Sequence, residues 1–161
     1  MAQIPEKQVM VVGMDDSDYS TYALEWTLDH LVTQSPNPIF KLVLVHAKPS
    51  VSSRVGFVGP GAAEVLPIVD ADLKRTAALI IERAREICTK RSVKDIVVET
   101  VEGDPRNVLC DAVEKHHAST LVVGCHGYGA LKRAVLGSVS DYCAHHAHCT
   151  VMIVKKPKTK H

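Results

Sequence analysis

The chain has 161 residues, 46% of them hydrophobic and 23% charged, which suits one globular core and leaves too little sequence for two ordinary domains. The 19 basic side chains against 18 acidic give a formal charge of +1, so no uniformly basic face forms and nucleic acid is not an expected partner. No run approaches the roughly 20 apolar residues that cross a bilayer, and the first seven residues lack the apolar stretch of a secretory signal, so no membrane span is expected.

Val9 to Gly13 is a short β-branched run that stops at Gly13-Met14-Asp15-Asp16-Ser17, a strand ending in a polar turn. From Ser20 to about Val32 the apolar set Ala23, Leu24, Trp26, Leu28 and Leu31 recurs at helical spacing. Ser35-Pro36-Asn37-Pro38 ends that helix. Phe40 to Ala47 is almost continuously apolar, as for a strand covered on both faces. Residues 48–66 carry Gly56, Gly59, Pro60 and Gly61 and read as a long, mobile surface loop. Helical spacing then resumes from Pro67 to about Lys90.

A strand follows from Ile96 to Val101, then the turn Glu102-Gly103-Asp104-Pro105. Asp104 suits a helix cap and Pro105 the first helical position, so a helix is expected to about His116. Leu121-Val122-Val123 is a buried-type strand, a glycine-studded loop runs to Gly137, a helix spans Ser138 to Ala147, and Val151–Val154 is a last strand. Five strands alternating with four helices call for a mostly parallel sheet with helices on both faces. The lysines at 155, 156, 158 and 160 read as a solubilising tail over 155–161.

The five cysteines, at 88, 110, 125, 143 and 149, are odd in number, scattered, and without a C-x-x-C pair. Neither a secreted disulfide framework nor a zinc knuckle fits, so an intracellular, cytoplasmic setting is expected.

The informative segment runs from Val123 to Ser138, leaving a strand and ending where a helix begins. In such sheets ligands bind outside the C-terminal strand ends. Successive glycines turn backbone N–H groups inward, and a helix start adds unpaired donors, so an anion fits there without a lysine. Ser138 stands at the expected cap. No G-x-x-x-x-G-K-[ST] occurs, and Gly124-x-x-Gly127-x-Gly129 does not follow the G-x-G-x-x-G order of dinucleotide folds. A purely structural reading, with glycines for tight turns and Ser138 as a cap, stays open on spacing alone.

The segment resembles the signature of the universal stress protein A family: G-x-x-G, nine residues, then G-[ST]. Gly124, Gly127, Gly137 and Ser138 match its fixed positions. The likeness extends through Val139-Ser140-Asp141-Tyr142-Cys143 and His145 to Val151, which is close to plant members, and to Val11-Val12-Gly13-Met14-Asp15-Asp16-Ser17 and Leu44-Val45-His46-Ala47. The resemblance implies a five-stranded parallel sheet, doubly wound and Rossmann-like (adenine nucleotide alpha hydrolase-like), in strand order 3-2-1-4-5.

It also implies an adenine nucleotide, AMP or ATP, as ligand. Asp15 would contact the base or ribose, Ala47 the adenine through its backbone, and Gly103 and Asp104 the ribose. Gly124, Gly127 and Gly129 would line ribose and phosphates, with Gly137 and Ser138 on the phosphates. The chain departs from the family's commoner loop at Cys125, Tyr128 and Ala130; losing a cation at 128 weakens the hold on outer phosphates, unless Lys132 and Arg133 compensate. Asp15 is a candidate Mg²⁺ contact, although a hydrogen bond to the ligand explains it equally well. A homodimer through Val151–Val154 is implied, which would cover an apolar edge strand.

His145, His146 and His148, with Cys143 and Cys149, resemble a metal cluster, but 146 leaves the face that 145 and 148 share, and helix-end roles are expected. His116-His117 likewise reads as a helix terminus. Cys125 beside His126 is a poor dyad, because adjacent residues on extended chain point apart. The function expected is a nucleotide-binding sensor or regulator of a stress response. The alternatives are a slow Mg-dependent ATP hydrolase and a chaperone or scaffold.

Overall fold

Strand β1 (Gln8–Met14) sits at the centre of the sheet because it is apolar on both sides, with Met10, Val11 and Val12 wholly buried. In this computed structural model, which describes residues 6–55, 59, 61–125 and 137–157, β1 is flanked by β2 (Phe40–Lys48) and β4 (Thr120–Cys125). Strands β3 (Ile96–Glu102) and β5 (Thr150–Lys155) form the two edges, giving five strands in the order β3-β2-β1-β4-β5. All pairings are parallel; Met10 lies opposite Leu42 on one side and Thr120 on the other. The doubly wound, Rossmann-like expectation and its strand order therefore hold.

Alternation along the strands feeds two cores. Met10, Val12, Leu42, Leu44 and Val122 face α1 (Asp18–Thr27) and α3 (Ala62–Lys90), meeting Ala23, Leu24, Ile80, Ala84 and Ile87. Val11, Val43, Val45, Leu121 and Val123 face α4 (Pro105–His116) and α5 (Ser138–His146), meeting Val108, Leu109, Val113 and Cys143. Full burial of each such Val or Leu contributes about 1.5–3 kcal/mol, which is why the strands read as unbroken apolar runs.

Several boundaries differ from expectation. Ser17 caps α1, its hydroxyl accepting from Ser20 N at 3.3 Å, so the helix starts ahead of Ser20. It passes into a π turn over Leu28–Val32, closed by Thr33 N donating to the Leu28 carbonyl at 2.8 Å. The expected 48–66 loop is corrected: Lys48 ends β2, a short α2 occupies Val51–Val55, and α3 begins at Ala62 after Gly61 at φ 92°. Pro67 thus lies inside α3 rather than at its start. A proline there forfeits one backbone bond, and residues 63–68 are exposed, so water can satisfy the freed carbonyl. Lys155 belongs to β5, opposite Cys125, and Lys156 Nζ lies 3.9 Å from Asp18, so the tail does not begin at 155.

The histidines go to helix ends. His117 closes α4 in a left-handed conformation at φ 50°, and His116 Nε2 lies 3.0 Å from Glu99 Oε1 on β3. Burial works against ionised Glu99, but hydrogen bonds from His116 and Lys115 outweigh it and hold its carboxyl below the usual range. His145 bonds the Asp141 carbonyl at 2.8 Å, His146 stacks on Tyr142 at 4.2 Å, and His148 pairs with Glu114 at 2.7 Å. The three imidazoles therefore have three separate partners.

Candidate functional site

The order β2-β1-β4 places strands from the two halves of the chain side by side, so the connections leaving β1 and β4 diverge to opposite faces. A crevice at the C-terminal ends follows from that topology. The ends of β1, β2, β3 and β4, with the starts of α1, α4 and α5, all lie at this edge. The site is assembled from them.

Asp15 follows the last residue of β1 and is exposed. Its Oδ1 accepts from Ser17 N at 2.8 Å and from the Ser17 hydroxyl, while Ser20 Oγ bridges the Asp15 backbone at 3.1 Å. This Asx-type turn fixes the exit of β1 and occupies Oδ1 of an exposed carboxylate. His46, which sequence reasoning gave no role, is 5% exposed on β2 and donates Nδ1–H to the Met14 carbonyl at 2.9 Å. The signal was available: a histidine inside an apolar strand needs a polar partner. Ala47 follows it, half-buried and opposite Val101.

Gly103 has φ +148°, and its N–H donates to the Lys48 carbonyl at 3.0 Å, joining the ends of β2 and β3. Asp104 caps α4 by accepting Arg106 N at 2.9 Å. The Arg106 side chain also forks it, with Nε on Oδ1 at 3.0 Å and Nη2 on Oδ2 at 2.8 Å. That fork, then the capping N–H, pull the Asp104 carboxyl down to about 2. Arg106 lies 5.7 Å above the Tyr142 ring, so the pair is braced against α5. Arg106 is a second residue that sequence reasoning passed over.

Gly124 is brought to the same edge, but its missing side chain has a packing cause. A Cβ there would meet Tyr19 O at 2.5 Å, Tyr19 C at 2.7 Å and Ser20 N at 3.0 Å, all backbone of α1. The first turn of α1 rests directly on the end of β4. Gly137 differs: among the described residues a Cβ would meet Ser140 Oγ alone, at 3.7 Å.

Gly137, not Ser138, is the cap of α5, and no side chain among the described residues caps that helix. Ser138 is its first helical residue and is exposed, which moves the expected cap by one position. By contrast, Ser17 and Asp104 cap α1 and α4. Among the described residues no side chain takes the early N–H groups of α5, and a helix start of this kind suits an anion because the helix field adds to the N–H donors. Gly127 and Gly129, with Tyr128, Lys132 and Arg133, lie outside the described residues.

Fold and edge together define a doubly wound parallel α/β protein in which, among the described residues, no side chain caps the start of α5 at the C-terminal edge of the sheet. Residues 7–155 match the universal stress protein family, and the chain belongs to it. It is 30% identical over 139 residues to the universal stress protein A-like protein of Arabidopsis thaliana, spanning 83% of this chain and 77% of that protein. It is 29% identical over 149 residues to a universal stress protein of Methanocaldococcus jannaschii, spanning 92% and 82%. A universal stress protein family member from Arabidopsis thaliana, crystallised with AMP bound, superposes with a TM-score of 0.70 at 25% identity, covering 93% of this chain and 92% of that one.

Proposed function

We propose that this protein binds an adenine nucleotide, AMP or ATP, across the strand ends between β1 and β4, and acts as a sensor or regulator in a stress response. The observation that carries the reading is the start of α5 at Gly137–Ser138, which no side chain among the described residues caps, whereas Ser17 and Asp104 cap α1 and α4 at the same edge. The AMP complex of an Arabidopsis relative supports it. In this reading Asp15 Oδ2 faces the base or ribose, the Ala47 backbone the adenine, and Gly103 and Asp104 the ribose. Gly124, Gly127 and Gly129 line the ribose and phosphates; Gly137 and Ser138 hold the phosphates. If ATP is the ligand, Mg²⁺ arrives with its phosphates, and Asp15 Oδ2 is the carboxylate oxygen available to it.

Binding without rapid turnover fits the carboxylates at this edge. Asp15 Oδ1 is committed to Ser17, and Asp104, held at about 2 by Arg106, is too weak a base for efficient proton abstraction near neutrality. A cytoplasmic homodimer through Val151–Val154 completes the proposal; those residues form an edge strand.

Gly137→Asp tests it. Aspartate is a better cap than glycine and among the described residues a Cβ at 137 meets only Ser140 Oγ at an ordinary 3.7 Å, so the fold should stand. The new carboxylate, however, would take the donors meant for phosphate and repel it. Calorimetry with AMP, ADP and ATP should show binding by the parent and a loss of at least about 100-fold in the variant, in line with one buried charge-assisted contact or more. Equal binding by the two proteins, or no heat from the parent at millimolar nucleotide, refutes the proposal.

A further inference from the structure

Three cysteines that are far apart in sequence meet on one face of the sheet. Cys143, in the second turn of α5, is completely buried; Cys110, in the second turn of α4, and Cys149, just ahead of β5, are half-buried against the same apolar cluster. All three are free thiols. Cys110 and Cys149 both pack against the cluster that holds Cys143, on the face of the sheet where α4 meets α5. Cys149 turns its S–H to the Thr150 carbonyl at 3.4 Å. Cys143 is therefore the thiol left to face Cys110.

The surroundings set an order of reactivity. Burial pushes the Cys143 thiol up to about 12, and the Cys110 sulfur adds to that. Burial also raises Cys110, but there the Cys143 S–H works in the opposite sense, by hydrogen-bonding to a Cys110 thiolate. Cys110 ionises first and is the more exposed of the pair. Thiolate is the attacking species, so a peroxide meets Cys110 before Cys143.

We propose that Cys110 and Cys143 are a peroxide-sensitive thiol pair that closes to a disulfide across the α4–α5 seam. The Cys110 thiolate attacks one oxygen of hydrogen peroxide and breaks the O–O bond. Cys110 becomes a sulfenic acid, and the departing hydroxide takes up the proton that Cys110 released, giving water. The Cys143 sulfur then attacks the Cys110 sulfur, and the expelled hydroxide leaves with the Cys143 proton as a second water. Two thiols lose two electrons and one peroxide gains them. A raised Cys110 makes the first step slow at neutral pH, so the pair stays reduced at low peroxide. Its closure ties together two helices whose first turns carry Arg106 and Ser138. The inference does not depend on a ligand.

The reduced full-length protein, treated with hydrogen peroxide, alkylated and digested, tests this by peptide mass mapping. A linked peptide joining Cys110 and Cys143 is expected, and it is absent from Cys110→Ser. In Cys143→Ala, a cyclic 1,3-dione should trap sulfenic acid at Cys110, which keeps the proposal testable even if the cross-link is lost for other reasons. The rate should climb about tenfold per pH unit while pH stays below the Cys110 value. Three results overturn the proposal: no linkage and no trapped sulfenic acid at Cys110, oxidation directed to Cys149 instead, or linkage at the same rate in urea as in the native protein.

Discussion

Gly124→Ala and Gly137→Ala remove glycines from the same motif, yet the structure predicts very unequal losses of stability. At 124 the new methyl would lie 2.5 Å and 2.7 Å from Tyr19 backbone atoms, distances that a real Cβ does not tolerate. Backbone cannot rotate away as a side chain does, so α1 must lift from the end of β4. That movement loosens the Ser17–Ser20 bonds that shape the Asp15 turn. Overpacking commonly costs about 1–3 kcal/mol, and two such contacts place this case near 3 kcal/mol. With a urea slope of about 2 kcal/mol/M, the unfolding midpoint should fall by about 1.5 M. At 137 the nearest atom among the described residues is 3.7 Å away, and alanine for glycine at a cap costs about 1 kcal/mol or less. Urea denaturation of both variants, followed by circular dichroism, decides the matter. A Gly124→Ala midpoint within about 0.3 M of the parent refutes the packing argument.

Asp104 and Gly103 give two further expectations. The folded Asp104 carboxyl stands at about 2, below its ordinary 3.8, so its ionised form stabilises the fold above the unfolded value and that contribution disappears as pH falls toward 2. Asp104→Asn keeps a capping side chain but loses the charge, so its deficit in stability should be flat above about pH 5 and shrink between about pH 4 and 2. Gly103→Ala forces a side chain into φ +148° and brings its Cβ to 3.1 Å from Val108 Cγ2. A loss of about 1–3 kcal/mol is expected, read as a lower thermal midpoint.

The architecture was legible because its signals are local and repeated. Val9–Gly13 and Phe40–Ala47 are apolar on both faces, and Asp104-Pro105 marks a helix start, which Arg106 N confirms by bonding Asp104. Where one residue carries two meanings, the reading failed. Pro67 resembles a helix opener, but α3 was already under way from Ala62, tolerating the lost bond on its exposed side. Ser138 resembles a cap, but Gly137 takes that place, and no side chain among the described residues caps the helix.

The site was less legible, since its logic depends on contacts between distant segments. Gly124 looks like a ligand-loop glycine by spacing, whereas its immediate constraint is Tyr19, far back in the chain. His46 has a reason to be polar only once Met14 is beside it, 32 residues away. The meeting of Cys110, Cys143 and Cys149 follows from the packing of α4 on α5, which no periodicity encodes.

The central position of β1 has a consequence for synthesis on the ribosome. Of the five strands β1 is made before the others; β2 can zip onto one side of it and β3 onto β2, but the partner for the other side of β1 is Thr120–Val122. Until the chain has been made that far, the strand destined for the middle has a raw, hydrophobic border able to recruit stray strands. A nascent chain stalled between β3 and β4 is therefore the aggregation-prone stage of this protein's biogenesis, and a holding chaperone would matter most there.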